Sequence, residues 1–238
     1  MAGYRSRLDR FLSQQLGISR RAVRPLLAAG RVTVDGEVVG DRQRLVDAFS
    51  LVSLDDQVLQ QRRRRYLMLN KPAGVVSATR DDRHTTVLDL LADTRSADLH
   101  LAGRLDYHST GLVLITNDGQ WSRALSHPDC GVAKRYRVVL EKPLGQADVD
   151  AFAAGMFFAY EGITTRPAGL QLLAEREAQV TLQEGRYHQI RRMFARQGNR
   201  VLALHRLAIG NLVLDPALAP GQCRELSPSE VNGIMEGH

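Results

Sequence analysis

Residues 103–111 read GRLDYHSTG and run straight into the apolar stretch LVLIT. Arg104 and Asp106 stand two apart, so on an extended segment both side chains project to the same side, at the lip of a strand. A second cation brought in from elsewhere in the chain would then close on Asp106. A carboxylate beside positive charge stays ionised at neutral pH and is a ready nucleophile. Gly111 and the Ser109–Thr110 pair suit a tight passage into the strand. The same spacing also suits a structural Arg–Asp pair at a turn, so the rest of the chain must decide between the two.

Other residues could serve such a carboxylate. Tyr136, in KRYRV, shares a strand face with Val138, which fits a sheet-core aromatic as well as a ring offered to a ligand. The stretch YHQIRRMFARQG sets Ile190, Met193 and Phe194 on one helical face. Arg191 or Arg192 is left to point elsewhere, into solvent or toward a nucleophile that needs a cation. His188 and His205 read as hydrogen-bonded structural histidines. Cys130 and Cys223 lie far apart without CxxC or Cys/His spacing, so neither a disulfide framework nor a metal site is expected. No glycine-rich nucleotide loop stands out, and no cofactor is expected.

The elements that must position these residues can be read in outline. YLMLN, LVLIT, YRVVL, LQLL, AQVTL and RVLAL are strand candidates. Helices are expected at TVLDLLA, GQWSRALS, ADVDAFAAG and YHQIRRMFARQG. The strands do not follow a strand–helix–strand rhythm, which predicts an α+β fold with a mixed, mainly antiparallel sheet.

Before Tyr66 the pattern differs. Leu8, Phe11, Leu12 and Leu16 share a helical face that stops at Gly17, and Ser19 caps a second helix reaching toward Gly30. Ala22, Val23, Leu26 and Leu27 form the apolar arc of that helix, and Arg20, Arg21 and Arg24 the basic one. Pro25 predicts a kink or a shortened helix. RVTVDGEVV then reads as a hairpin turning at Asp35-Gly36. The polar stretch 57–66, ending in Arg62, Arg63, Arg64 and Arg65, reads as a linker.

Charge separates the same two regions. Residues 1–65 hold 13 arginines against 7 acids, whereas residues 66–238 hold 19 basic and 19 acidic side chains. The net charge of +6 therefore resides in the first 65 residues. Clustered cations joined to a neutral body suit a polyanion-binding appendage on an enzyme. The arginine run suits an RNA backbone or a solvated hinge equally. No secretory signal pattern or membrane-length apolar run is present, so a cytoplasmic protein without membrane association is expected.

Two resemblances join these observations. RLDRFL, SRR and the GRVTVDG hairpin, in that order, resemble the alpha-L RNA-binding module of a small-subunit ribosomal protein and of several RNA-modifying enzymes. GRLDYHSTGLVLITNDG, KRYRV, EGRYHQIRRMF and LHRLAIG, with NKPAG at 70–74, resemble the pseudouridine synthases that act on ribosomal RNA. The bacterial branch that modifies one uridine of 16S RNA is the nearest in pattern, and the similarity spans nearly the whole chain. It implies domains at 1–58 and 66–238, joined by a basic linker at 59–65.

It further implies that Asp106 is the catalytic aspartate and that Tyr136 stacks on the target base and helps remove a proton. Arg191 or Arg192 would pair with the aspartate, and Arg104 would hold the target nucleotide out of its helix. Arg20, Arg21, Arg24, Arg62, Arg63, Arg64, Arg65 and Lys71 would meet RNA. The implied reaction detaches uracil from ribose at nitrogen and reattaches it through carbon 5, an isomerisation without redox or metal chemistry. Attack on the sugar, attack on the base and removal of a sugar proton all start from the same ionised carboxylate. His108 and Ser109, beside Asp106, depart from the branch's usual small acid or amide and threonine.

The expected partner is ribosomal RNA, free or in an assembling subunit, and the expected state a monomer. A synthase acting on 23S rRNA or tRNA, and a non-catalytic ribosome-assembly factor, are the alternatives.

Overall fold

In the computed structural model, which describes residues 5–91, 98–127 and 130–236, the chain divides into two units. One is Met1–Arg65 with Asp118–Gln120, the other Tyr66–Asn117 with Trp121–His238.

In the first unit, β1 (Ser6–Arg7) leads into α1 (Leu8–Leu16), which ends where Gly17 turns left-handed at φ 67°. Helix α2 (Arg20–Ala28) starts at Ser19, whose hydroxyl accepts from the Ala22 N–H at 3.2 Å. Pro25 stays inside α2, and the helix stops at Ala28, before left-handed Gly30. The helix thus continues past the proline to the glycine stop, without the shortening expected from Pro25. Strands β2 (Val32–Val34) and β3 (Glu37–Val38) form the hairpin, with positive φ at both Asp35 and Gly36. That pair of left-handed residues matches the right-handed twist of the flanking strands.

Strand β4 (Leu45–Val46) pairs with β1, while β5 (Val52–Leu54) and β6 (Gln57–Gln60) complete a sheet of order β3-β2-β5-β6. Leu8, Leu12, Val23, Leu27, Val32 and Val34 fill the core. Strand β6 occupies residues 57–60 of the stretch 57–66 expected to be a linker. It is a polar edge strand, held by pairing to β5 and by the Gln60 amide, which donates to the Asp47 and Ser50 carbonyls. QVLQQ shows no apolar alternation because neither face of an edge strand need be fully covered.

The second unit is built on a nine-stranded sheet. Its strands are β7 (Tyr66–Lys71), β8 (His100–Leu101), β9 (Thr110–Thr116), β10 (Lys134–Leu140), β13 (Gly169–Ala174), β14 (Glu177–Leu182), β15 (Val201–Ile209), β16 (Leu212–Val213) and β17 (Cys223–Glu225). A separate hairpin pairs β11 (Phe157–Phe158) with β12 (Ile163–Thr164). The main order is β13-β14-β10-β15-β9-β7-β17, and all pairs are antiparallel except β15 with β9. The expected mixed, mainly antiparallel sheet is thus observed.

Two apolar clusters lie on its opposite faces. Leu67, Leu69, Val113 and Ile115 belong to one, Met68, Leu112 and Leu114 to the other. Burial on both sides is why YLMLN and LVLIT are continuous apolar runs.

Helices α3 (Gly119–Ser126), α4 (Gln146–Ala154), α5 (Gln189–Arg196) and α6 (Pro228–Gly233) complete the chain. The helix expected over 86–92 does not form in its described part, 86–91; Ala92 lies outside the described residues. The Asp89 carboxylate accepts from both the Thr86 N–H and its hydroxyl, and Thr86 bridges to Val76, so these residues close into turns.

Gly111 is where β9 meets β15. Its φ is +101°, and a Cβ there would lie 2.4 Å from the Arg206 carbonyl oxygen. Gly111→Ala is therefore expected to destabilise the fold by about 2–3 kcal/mol, through backbone strain and overpacking together. Chemical denaturation of the variant beside the wild-type chain checks this.

Candidate active site

Asp106 sits between Leu105 and the turn at Tyr107–His108, just before β9, on the wall of a cleft of about 1030 Å³. Its side chain is 31% exposed. The backbone around it is pinned residue by residue. Lys71, at the end of β7, is fully buried, and its ammonium donates to the carbonyls of Pro72 (3.0 Å), Asp106 (3.1 Å), Tyr107 (3.2 Å) and Ser109 (2.8 Å). Arg206, 4% exposed on β15, donates from Nε to the Leu112 carbonyl at 2.7 Å and from Nη1 to that of Arg104 at 3.2 Å. The Ser77 hydroxyl donates to the Leu105 carbonyl and accepts from its N–H. Gly74 N–H donates to the Tyr107 carbonyl.

Buried polar groups tend to find partners, and here most of the partners of two buried cations are the carbonyls of the loop itself. Burial pushes Lys71 down to about 8, and Arg206 pushes the same way, while the neighbouring Asp106 carboxylate opposes them.

A guanidinium and an imidazole approach the Asp106 carboxylate among the described residues. Arg191 Nε lies 3.9 Å from Oδ2, and His188 Nε2 lies 3.5 Å from Oδ1. The choice left open between Arg191 and Arg192 is decided by geometry. Arg192 is turned to the carboxylate of Glu161, at 2.5 and 2.6 Å, and lies 3.8 Å from the Phe158 ring centroid. Arg192 as the partner of Asp106 is thereby corrected: successive helical residues point about 100° apart, so one side chain meets the loop and the next the β11–β12 hairpin. Ile190, Met193 and Phe194 are buried as the periodicity predicts.

His188, read from sequence as structural, is also corrected. It takes up a left-handed φ of 49° ahead of α5, and its imidazole stacks on Tyr187 as well as reaching Asp106. Below it, buried Glu184 accepts from the Gln189 amide (2.6 Å) and Arg186 Nε (3.0 Å), and Gln189 Oε1 accepts from Arg186 N–H. This network fixes the start of α5, and with it Arg191.

Tyr136 is 8% exposed, part of the sheet core and of the cleft wall at once. A register shift between Arg135 and Tyr136 sets the ring opposite Arg206, whose guanidinium carbon is 6.0 Å from the ring centroid. Arg104 is exposed on the cleft wall, yet among the described residues the guanidinium within 4 Å of the Asp106 carboxylate is that of Arg191, beside the His188 imidazole.

Lys71, expected to meet RNA, does not face solvent. The continuous apolar run ahead of it could have signalled burial. Arg206 was missed for a similar reason, although it shares a strand face with buried Leu204 and Ala208 along β15.

In the first unit, Arg20, Arg21 and Arg24 are exposed on α2. Arg62 and Arg63 are exposed as well, and Arg65 is partly buried. Arg64 lies 3.4 Å from both Asp47 and Asp118 and stacks 4.5 Å from the Phe49 ring centroid. Among the described residues no helix is long and apolar enough to cross a membrane.

Comparison with known proteins adds to this geometry. Residues 65–196 match the family model of RNA pseudouridylate synthases, and residues 6–52 match that of the S4 domain. A protein of Pseudomonas aeruginosa named ribosomal small subunit pseudouridine synthase A is 51% identical over 96% of this chain and all of its own. The protein of that name from Escherichia coli K12 is 43% identical, again over 96% of this chain and all of its own. A crystal structure of a pseudouridylate synthase aligns with a TM-score of 0.70 at 36% identity, covering 96% of this chain and 99% of that one.

Replacing Lys71 removes the donor to four carbonyls at once. Lys71→Met is expected to cost about 3 kcal/mol or more of stability. It should also slow turnover about 100-fold in the protein that remains folded, since small displacements of a catalytic group are costly. Denaturation midpoints and single-turnover rates, measured below the variant's unfolding temperature, check both.

Proposed function

The chain belongs to the RNA pseudouridylate synthase family, and from that membership we propose that it converts one uridine of small-subunit (16S) ribosomal RNA to pseudouridine, with Asp106 as the catalytic residue. The observation that carries this reading is a partly exposed carboxylate in a cleft, with Arg191 and His188 within 4 Å. The Arg191 guanidinium complements the charge of the carboxylate from which all routes to pseudouridine start. In the net reaction the bond from ribose C1′ to N1 breaks and a bond from C1′ to C5 forms. The C5 proton is lost and N1 gains one, so composition is unchanged and no oxidant or reductant enters.

A uridine inside folded RNA must leave its stack to reach Asp106, which costs stacking energy that an aromatic neighbour can restore. Tyr136, on the cleft wall, is assigned that stacking role and the assistance in removing the C5 proton. Arg104 is assigned to the extruded nucleotide and Arg191 to holding the Asp106 carboxylate in place. The S4 unit would engage the RNA backbone through Arg20, Arg21 and Arg24, aided by Arg62, Arg63, Arg64 and Arg65. The names of the relatives from P. aeruginosa and E. coli favour small-subunit RNA over 23S rRNA or tRNA. The same reading places the enzyme in the cytoplasm as a monomer.

Asp106→Asn keeps the shape of the side chain and removes its charge. It is expected to lower pseudouridine formation on 16S transcript by at least about 1,000-fold, while RNA binding persists in a filter or mobility assay. Wild-type turnover by that variant would refute the assignment.

Each phosphate contact adds about 0.7 to the slope of log affinity against log salt for single-stranded RNA. Replacing Arg20, Arg21 and Arg24 together with Gln should therefore flatten the slope by about 2, measured by titrating RNA at several salt concentrations.

A further inference from the structure

Tyr187 is 73% exposed on the rim of the cleft that holds Asp106. One face of its ring lies flat on the His188 imidazole, with centroids 3.9 Å apart and planes 17° from parallel. The other face is open. His188 in turn reaches Asp106 with its Nε2, so a stack of planar groups begins beside the carboxylate and ends in an uncovered aromatic surface one ring away.

The arrangement is built rather than incidental. His188 holds a left-handed backbone, φ 49°, which side chains other than glycine enter at a cost. Arg186 N–H is tied to the Gln189 amide, Arg186 Nε to buried Glu184, and Arg192 Nη1 lies 3.5 Å from the Tyr187 carbonyl. The ring is thus presented on a braced turn, although so exposed a side chain gains little from burial.

We propose that the open face of Tyr187 is a stacking seat for the base adjacent to the target uridine, so that the enzyme selects a uridine whose neighbour is also free of its helix. This rests on reading the cleft as the uridine site. A flat ring open on one side matches a nucleobase, because every base offers a π-face and stacking tolerates any of the four. Unpaired bases splayed onto aromatic side chains are the usual means by which proteins grip RNA loops. The seat lies next to the carboxylate and belongs to the same cleft, which favours the same RNA strand over a second macromolecule. The selection is therefore for local RNA conformation and not for the neighbour's identity.

The test uses the full chain and a 16S fragment containing the uridine that the wild-type protein modifies. An abasic residue is placed first at the 5′ neighbour and then at the 3′ neighbour. One of these should raise the wild-type KM about tenfold, the loss of one base–aromatic stack. Tyr187→Leu should raise KM on the intact fragment by a similar factor and lower kcat by less. Combining Tyr187→Leu with the abasic residue should add no further loss, and Tyr187→Phe, which keeps the ring, should restore the affinity.

A wild-type KM in Tyr187→Leu would overturn the proposal, as would two losses that multiply in full. A defect confined to kcat would also overturn it, because it would mean that Tyr187 acts through His188. A KM loss in Tyr187→Leu that neither abasic substitution reproduces would assign the surface to another partner. If the wild-type chain modifies no ribosomal RNA at all, the underlying reading fails and the seat with it, an outcome distinct from all of these.

Discussion

Lys71 and Arg206 carry two positive charges into the interior of the sheet, and the loop that bears Asp106 is what solvates them. An unpaired buried cation is heavily penalised, so the carbonyls of Arg104, Asp106, Tyr107, Ser109 and Leu112 are drawn to these two side chains. The cost of burial becomes a constraint on the backbone. Because the clamp uses main-chain oxygens, the Asp106 carboxylate takes no part in it and stays available in the cleft. The substitution is incomplete, since carbonyl dipoles replace water only in part, and Lys71 drops to about 8. Asp106 opposes that drop. The loop is therefore held by cations, and its own acid helps to keep one of them charged.

The same economy appears at α5. Its buried face of Ile190, Met193 and Phe194 fixes the helix against the sheet, and the next two positions are then committed to different neighbours. Arg191 donates from Nη1 to the Val201 carbonyl and sets Nε toward Asp106. Arg192 braces the β11–β12 hairpin through Glu161 and Phe158. The partner of the carboxylate is thus itself hydrogen-bonded to the sheet, which limits how far it can drift. An arginine tethered at one nitrogen loses less freedom when the other meets an anion.

Most of this scaffold was legible in the sequence, and the parts that were not share a cause. Runs such as LVLIT and the 3.6-residue spacing of IRRMF are local signals, and they produced elements where expected. TVLDLLA failed as a helix because the Thr86–Asp89 hydrogen bonds and the bridge to Val76 outweigh a helical pattern only two turns long. QVLQ failed as a linker because its two apolar residues, Val58 and Leu59, are adjacent and do not show the alternation of a half-buried strand, although Leu59 packs on the core of the first unit. The site divided in the same way: Asp106, Tyr136 and Arg191 lie in local motifs and line or border the cleft. The roles of Lys71, Arg206 and His188 depend on partners 35 to 102 residues away in the chain, met only once the sheet is closed, or on a backbone angle that no spacing encodes. A lysine in a basic protein reads as a phosphate ligand until its strand is known to be buried on both faces.

Charge placement carries the argument one step further. The unit holding Asp106 spans a stretch with equal numbers of acidic and basic side chains, whereas the surplus of six positive charges lies in residues 1–65. Long-range attraction to RNA then comes from a part of the chain that contains no candidate nucleophile. The cleft is lined by acids and bases together, Asp106, Glu161 and Glu184 beside Arg104, Lys134, Arg186 and Arg206, so what it admits is settled at short range by shape, stacking and the placement of individual charges. A strongly basic cleft would bind any RNA segment and slow its release. Keeping capture and chemistry on different surfaces lets the first be strong and unspecific while the second remains selective.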